Sequence, residues 1–478
     1  MLIIKIPFYS FALVSVILLF HLALENKSST ISTKEAVILT DFSPKTVPSG
    51  HKSQYDIKLT MNKEGTFQVE STVHIKNASN DSWNQIVFYF IPNMFTQKIA
   101  EELNNPLASP SKVEITNITL NGDAAHYDLH KDTLSIPLKK ELKPEKDVQI
   151  IFTYHLTLPE KGFRFTKNNQ NYYLAQFYPM LATYQNHQWN KKDYRLKGET
   201  YHTAFSDFQV SYHLPAGFTL ASSSDQDMLP SKISDDLQAN KVKEMFIAIL
   251  HHPEIVRKVV NNVEIRVFDV EDNENLAASI STVATDALKY FQKTIGPYPF
   301  KQLDIILDQS GMEYPGIVTA KTLAYAGPVD EDRFKSMVVH EIAHQWFYGV
   351  ISNDPYQNAW LDEGFAEFAT SLYFSAKTKE KIPYEIYHQT AKELPLPINL
   401  PLDQYKGASS SYTYGKALSM LWKLFENRGG TAEAKRFLKT YYHYYQYKEV
   451  DSKEFVRFSQ QYFHMKDDAF FQDWLDLQ

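Results

Sequence analysis

The sequence predicts an α+β protein, a β-sheet domain followed by a domain in which helices dominate, and three observations carry that expectation. Apolar and polar residues alternate with period two through residues 55–61, 66–75, 149–156, 208–214 and 263–268, the pattern of strands with one solvated face. Past the polar stretch Glu271-Asp272-Asn273-Glu274-Asn275 the period changes to that of amphipathic helices. The composition, 44% apolar and 14% aromatic, suits a chain with large cores and not a disordered one.

The elements follow in order. Residues 6–24 form an apolar run long enough to cross a bilayer core of ~30 Å as a helix. No small-x-small cleavage site follows, since Leu22-Ala23-Leu24-Glu25-Asn26 matches poorly, so residues 1–30 read as an uncleaved signal anchor. The expected location is therefore membrane-anchored with the folded part extracytoplasmic, with secretion after signal cleavage as the alternative. Residues 31–50 read as a polar linker, 51–271 as the sheet domain and 272–478 as the second domain. Within the latter, 280–295 reads as a helix ended by Gly296, 302–307 as a strand, and 334–349 and 360–374 as helices. A further helix over 414–427 is closed by Gly429-Gly430, and Asp451-Ser452-Lys453-Glu454 forms a capping box for the last helices. The run Tyr441, Tyr442, Tyr444, Tyr445 and Tyr447 is expected to serve helix packing.

Charge and cysteine content exclude several functions. A net charge of −7 leaves no basic footprint, so no nucleic-acid partner is expected. With no cysteine at all, disulfides, thiolate metal ligation and a cysteine nucleophile are excluded.

The chemistry is concentrated in His340-Glu341-Ile342-Ala343-His344 and in Glu363, which follows within Trp360-Leu361-Asp362-Glu363-Gly364-Phe365-Ala366-Glu367. Positions i and i+4 of a helix lie one turn apart on one face, so His340 and His344 can hold one ion with Glu341 beside them as general base. Glu363 can supply the third ligand from a second helix, leaving the fourth position of a zinc ion for water. In a chain with 16 histidines the five-residue pattern alone could arise by chance. Its neighbours argue otherwise: Met337, Val338, Val339, Ile342, Trp346 and Phe347 read as a buried helix, where an unpaired His-Glu-His cluster would be costly to desolvate without a metal. One Zn²⁺ per chain is expected.

At these residues the chain resembles the M1 family of zinc metallopeptidases, the gluzincins that include aminopeptidase N and leukotriene A4 hydrolase. Gly311-Met312-Glu313 is similar to the family's G-x-M-E-N exopeptidase motif, and Tyr414-Gly415-Lys416-Ala417 resembles its Y-x-K-G segment, in the family's order around the zinc motif. The resemblance runs from about Tyr55 to the C-terminus, strong in the second half and loose in the first, where only Phe177-Tyr178-Pro179 is suggestive. It implies an N-terminal β-saddle domain followed by a thermolysin-like mixed α/β catalytic domain. Tyr414 lies close to the end of the 478 residues, and 470–475 looks like the end of the catalytic domain, which implies a short form without the family's helical C-terminal domain. Two positions depart from the family pattern. Tyr314 stands where the motif ends in Asn, and Asp362 where many members have Asn.

The resemblance implies an aminopeptidase acting on peptides with a free N-terminus. Tyr414 becomes the candidate oxyanion donor, although on residues alone a core tyrosine on a helix is the better reading. Glu313, with Gly311 and Met312, becomes the candidate holder of the substrate ammonium; alone it would be an ordinary loop acid. Glu367, one turn after Glu363, can orient a zinc histidine or be a solvated carboxylate. The alternatives are a zinc endopeptidase or dipeptidase of the same fold, or a non-catalytic peptide-binding protein, which would have no need of a general base beside a metal.

Overall fold

The computed structural model describes residues 36–477 apart from 104–108, 197, 271–273, 309–310 and 321–329. The apolar run 6–24 lies outside the described residues, and among the described ones no helix is long and apolar enough to cross a membrane.

The alternating segments pair as the period-two pattern demands. His51–Met61 lies antiparallel to Phe67–Asn77 with Tyr55 opposite Val73 and Leu59 opposite Val69. A one-residue slip would turn these buried side chains to solvent, so burial fixes the register. The sheet extends to seven strands in the order Ser234–Val242, Ser206–His213, His51–Met61, Phe67–Asn77, Asp147–Leu156, Val113–Leu120 and Asp123–Ala124. His51–Met61 and Ser206–His213 run parallel. A smaller sheet of Phe218–Ser222, Ile247–His251, Asn171–Leu174 and Phe165–Asn168 completes the side facing the second half.

In the second half, Glu254–Val260 and Val263–Asp269 form a hairpin, and Val263–Asp269 pairs in parallel with Gln302–Ile306, which pairs with Ile317–Thr319. This sheet spans the expected boundary at 271/272, since its hairpin precedes that point. The helix Glu274–Thr294 packs on it through Ala277, Ile280, Ala284, Ala287, Leu288 and Phe291, one face at helical spacing. At the sheet edge the chain folds back, with Met312 N donating to Thr319 O at 3.2 Å and Thr319 N to Met312 O at 3.0 Å. Met312 and Tyr314 join Tyr173, Ala175, Phe246 and Phe268 in one apolar cluster drawn from both halves of the chain. The N-terminal sheets thereby fix the edge segment that carries Glu313.

The helix Glu274–Thr294 starts ahead of the expected residue 280, and three further helices also differ from expectation. The motif helix is Glu331–Ala343, opened by Asp330 accepting from Arg333 N at 3.1 Å with Glu331 and Asp332 in its first turn. It ends at Ala343, well before residue 349, because the backbone then tightens into turns, Gln345 N donating to Ile342 O at 3.1 Å and Trp346 N to Ala343 O at 3.0 Å. The second ligand helix runs on to Thr378 and stops at Lys379 in the left-handed region. The third is not one α-helix: Ser411–Lys416 is π-helical and Ala417–Glu426 α-helical, while Gly429 and Gly430 open the next helix, Gly430–Tyr445. Asp451 caps Ser452–Phe463 through Glu454 N at 2.8 Å, but the Glu454 carboxylate is engaged by Lys45 N and Arg457. Of the tyrosine run, Tyr441 and Tyr445 are buried in packing, Tyr441 stacked on Phe365 at 5.1 Å.

Candidate active site

The motif helix places His340 and His344 one turn apart, and the Glu363 helix crosses them. His340 Nε2 lies 3.0 Å from His344 Nε2 and 3.3 Å from Glu363 Oε2, and His344 Nε2 lies 3.1 Å from Glu363 Oε2. Bonds of 2.0–2.1 Å to a tetrahedral zinc imply ligand separations of about 3.3–3.4 Å, so this triangle needs only a slight opening to hold the ion. The other ring nitrogens are already occupied. His340 Nδ1 is 2.9 Å from Glu367 Oε2 and His344 Nδ1 is 3.0 Å from the Phe347 carbonyl, which leaves both Nε2 atoms facing the common point. Among the described residues, this is the one His/Asp/Glu group with ligand atoms close enough for a metal.

The electrostatics favour a cation there. Burial works against charge on His344, yet the hydrogen bond and charge of Glu363 outweigh it and lift the imidazole to about 9. Burial likewise opposes a charged Glu363, but hydrogen bonds from His340 and His344 hold its carboxyl well below the usual carboxylate range. Two imidazoles that would take up protons beside an ionised carboxylate are a donor set seeking positive charge, and a dication satisfies it. Removing the Glu367 carboxylate (Glu367→Ala) should weaken zinc binding by about 10- to 100-fold, measured by chelator competition.

Glu341 is buried beside the ligands, with burial raising its carboxyl to about 7 against the opposing charges of His340 and His344. A cation at the ligand centre draws it back down. Gly311 explains itself here: a Cβ at that position would collide with Glu341 Oε1. Gly311→Ala should therefore displace the Glu341 carboxylate and lower kcat by about tenfold or more with zinc content unchanged; steady-state kinetics with metal analysis checks it. Glu313, two residues on, is buried on the edge segment, and burial raises its carboxyl to about 8, with His344 opposing and Glu341 and Glu363 reinforcing.

Tyr414 sits in the π-helical turn, a distortion that recurs at functional sites. Its hydroxyl donates to Glu363 Oε1, and its ring lies 5.5 Å from that of His340 with 18° between planes. Gly364 permits this approach, since a Cβ there would come 2.6 Å from Ala417 Cβ. Of the two departures, Asp362 is buried and accepts from Glu363 N at 2.9 Å. Tyr314 is buried and stacked on Phe246 at 4.0 Å.

The structure thus brings His340, Glu341, His344, Glu363, Glu367 and Tyr414 together, with Gly311, Met312 and Glu313 on the adjoining edge. Sequence reasoning missed two residues that hold the edge segment and one buried polar residue beside its apolar cluster. Gln345 clamps that edge, donating from Nε2 to Tyr314 O at 3.0 Å and accepting from Gly316 N at 2.8 Å. Arg164 reaches Met312 Sδ from Nε at 2.9 Å and pairs with buried Glu199 at 3.2 Å. Gln176 is buried with φ 56, next to Ala175 of the cluster that holds Met312, and neither amide atom has a hydrogen-bond partner among the described residues. Gln345 adjoins the motif and Gln176 adjoins Phe177-Tyr178-Pro179, which were the available signals; a lone Arg far upstream carries none.

Comparison with known proteins finds its matches around the site. Residues 281–474 match the model of the peptidase family M1 domain. Aminopeptidase 2 of Candida albicans is 29% identical over 182 residues, 33% of this chain and 20% of that protein. Leukotriene A-4 hydrolase of Xenopus laevis is 27% identical over 205 residues, 38% of this chain and 32% of that protein. The chain therefore spans between a fifth and a third of the length of these curated relatives. The crystal structure of an M1 zinc metallopeptidase from Deinococcus radiodurans superimposes with a TM-score of 0.62 at 16% identity, covering 90% of this chain and 95% of that one, and shows the same fold. The ligand triangle and its helices lie inside the segment that matches the peptidase family M1 domain.

Proposed function

We propose that the protein is a zinc-dependent aminopeptidase that hydrolyses the first peptide bond of peptides with a free N-terminus. The observation that carries this reading is the convergence of His340 Nε2, His344 Nε2 and Glu363 Oε2 on one point, with Glu341 beside it and Glu313 on the adjoining edge segment. The names of the similar proteins, an aminopeptidase and a leukotriene A-4 hydrolase, agree with it.

When bound, zinc acts as a Lewis acid that lowers the pKa of water towards ~7. Glu341 takes the proton of the attacking water and passes it to the leaving amine, a contribution of typically about 10²- to 10⁴-fold. Tyr414 turns its hydroxyl from Glu363 to the oxyanion of the tetrahedral intermediate. Glu313 pairs with the substrate α-ammonium and so sets the distance from the N-terminus to the scissile bond. Glu367 and the Phe347 carbonyl hold the two imidazoles in their tautomers throughout. The apolar run of residues 6–24 supports a membrane tether with the catalytic part outside the cytoplasm. Recovery of the full chain in the soluble cytosolic fraction would contradict that placement.

The test of the reading is removal and return of the metal. Activity on an unblocked tripeptide should disappear in chelator, return at about one zinc per chain, and release the N-terminal residue first. Activity that persists without metal, or initial cleavage at internal bonds only, contradicts it.

A further inference from the structure

The turn after the motif helix carries a feature that metal ligation does not explain by itself. Tyr348 is buried at φ 121, a region that only glycine adopts without strain. Such a conformation persists only where the surroundings impose it. The Tyr348 N–H donates to Ile351 O at 2.9 Å, and the Tyr348 hydroxyl donates to Glu244 Oε1. Glu244 belongs to the connection between the strands Ser234–Val242 and Ile247–His251 of the N-terminal half. Its neighbour Lys243 donates from Nζ to Ser352 Oγ at 2.6 Å, so two consecutive residues grip both ends of the same turn. Glu244 is itself buried, and its Oε2 has no hydrogen-bond partner among the described residues. Oε1 accepts from both the Tyr201 hydroxyl, at 3.1 Å, and that of Tyr348, so the task of this carboxylate lies at Oε1.

That task follows from what the turn carries. The residue before Tyr348 is Phe347, whose carbonyl lies 3.0 Å from His344 Nδ1 and so selects the tautomer that presents Nε2. The orientation of this carbonyl depends on the peptide plane shared with Tyr348, hence on the Tyr348 φ. We propose that Tyr348 and Glu244 are positioning residues of the metal site: the hydroxyl-to-carboxylate contact from the N-terminal half holds the strained turn and thereby aims His344. The consequence is that the N-terminal half helps to set metal affinity although it supplies no ligand. The proposal rests on the metal reading of His340, His344 and Glu363.

The experiment is competition for zinc with a chromophoric chelator, run on the full chain alongside thermal unfolding of the zinc-free form. Tyr348→Phe keeps the ring and loses the hydroxyl; it should weaken zinc binding by about tenfold, at the lower end for changes beyond the ligands themselves. Glu244→Leu should do the same, and Glu244→Gln, which keeps an acceptor for the hydroxyl, should stay within about threefold of the parent. The double variant Tyr348→Phe/Glu244→Leu should bind zinc no worse than Glu244→Leu alone, because that change, which also takes the acceptor of the Tyr201 hydroxyl, has already removed the contact to Tyr348. A lowered unfolding temperature with parental zinc affinity in Tyr348→Phe, or additive losses in the double variant, overturns the proposal while leaving the metal reading in place. A parent chain that takes up no zinc overturns both.

Discussion

Glu341→Gln should lower turnover by about 10²-fold or more while the protein still carries zinc near stoichiometry. The substitution keeps the shape of the side chain and the packing against Gly311, where there is no room for a Cβ, so the ligand triangle has no reason to move. What it removes is the ability to accept a proton from water and deliver it to the leaving nitrogen. The effect should fall on kcat, and kcat/KM should fall with it. Metal analysis separates this from loss of a ligand: Glu363→Ala should lose both zinc and activity. Loss of zinc in Glu341→Gln, or turnover close to the parent, would remove Glu341 from the role of base.

Tyr414→Phe should lower kcat by about 10²-fold with little change in KM. Its hydroxyl donates to Glu363 Oε1 and its ring lies along that of His340, so the phenol is held within reach of the metal point by the π-helical turn. A donor that meets charge developing only in the transition state contributes to kcat and not to ground-state binding. The same variant also strips a hydrogen bond from a metal ligand, which predicts a modest fall in zinc affinity beside the kinetic loss. Measuring kcat at saturating zinc isolates the first effect. A rise in KM with kcat unchanged would reassign Tyr414 to substrate binding.

The parts of the site that were readable from sequence are those in which spacing along one helix sets geometry. His340, Glu341 and His344 follow from the i to i+4 relation, and Glu367 from its one-turn offset from Glu363. The sheet strands were readable because burial on one face imposes period two, as in Tyr55, Ile57 and Leu59. What was hidden depends on contacts distant in the chain. Arg164 meets Met312 and Glu244 meets Tyr348 across more than a hundred residues, and no local pattern marks either partner. The end of the motif helix was misplaced because residues 344–347 keep its apolar character while their backbone tightens into turns, with Gln345 N on Ile342 O and Trp346 N on Ala343 O. The π-helical turn at Tyr414 was read as plain α-helix, since its residues satisfy the same apolar periodicity.

The aminopeptidase reading stands most directly on Glu313, the buried acid on the edge segment beside the metal ligands. Acetylating a substrate's N-terminus replaces an ammonium by a neutral amide and leaves the carboxylate without its counter-charge in a desolvated site. The decisive measurement is kcat/KM for a matched pair of free and N-acetylated peptides, with the parent and with Glu313→Ala. The account predicts that acetylation lowers kcat/KM strongly in the parent, and that Glu313→Ala lowers it strongly for the free peptide and little for the blocked one. Equal rates on both peptides, unchanged by Glu313→Ala, would contradict it and leave an endopeptidase on the same metal centre.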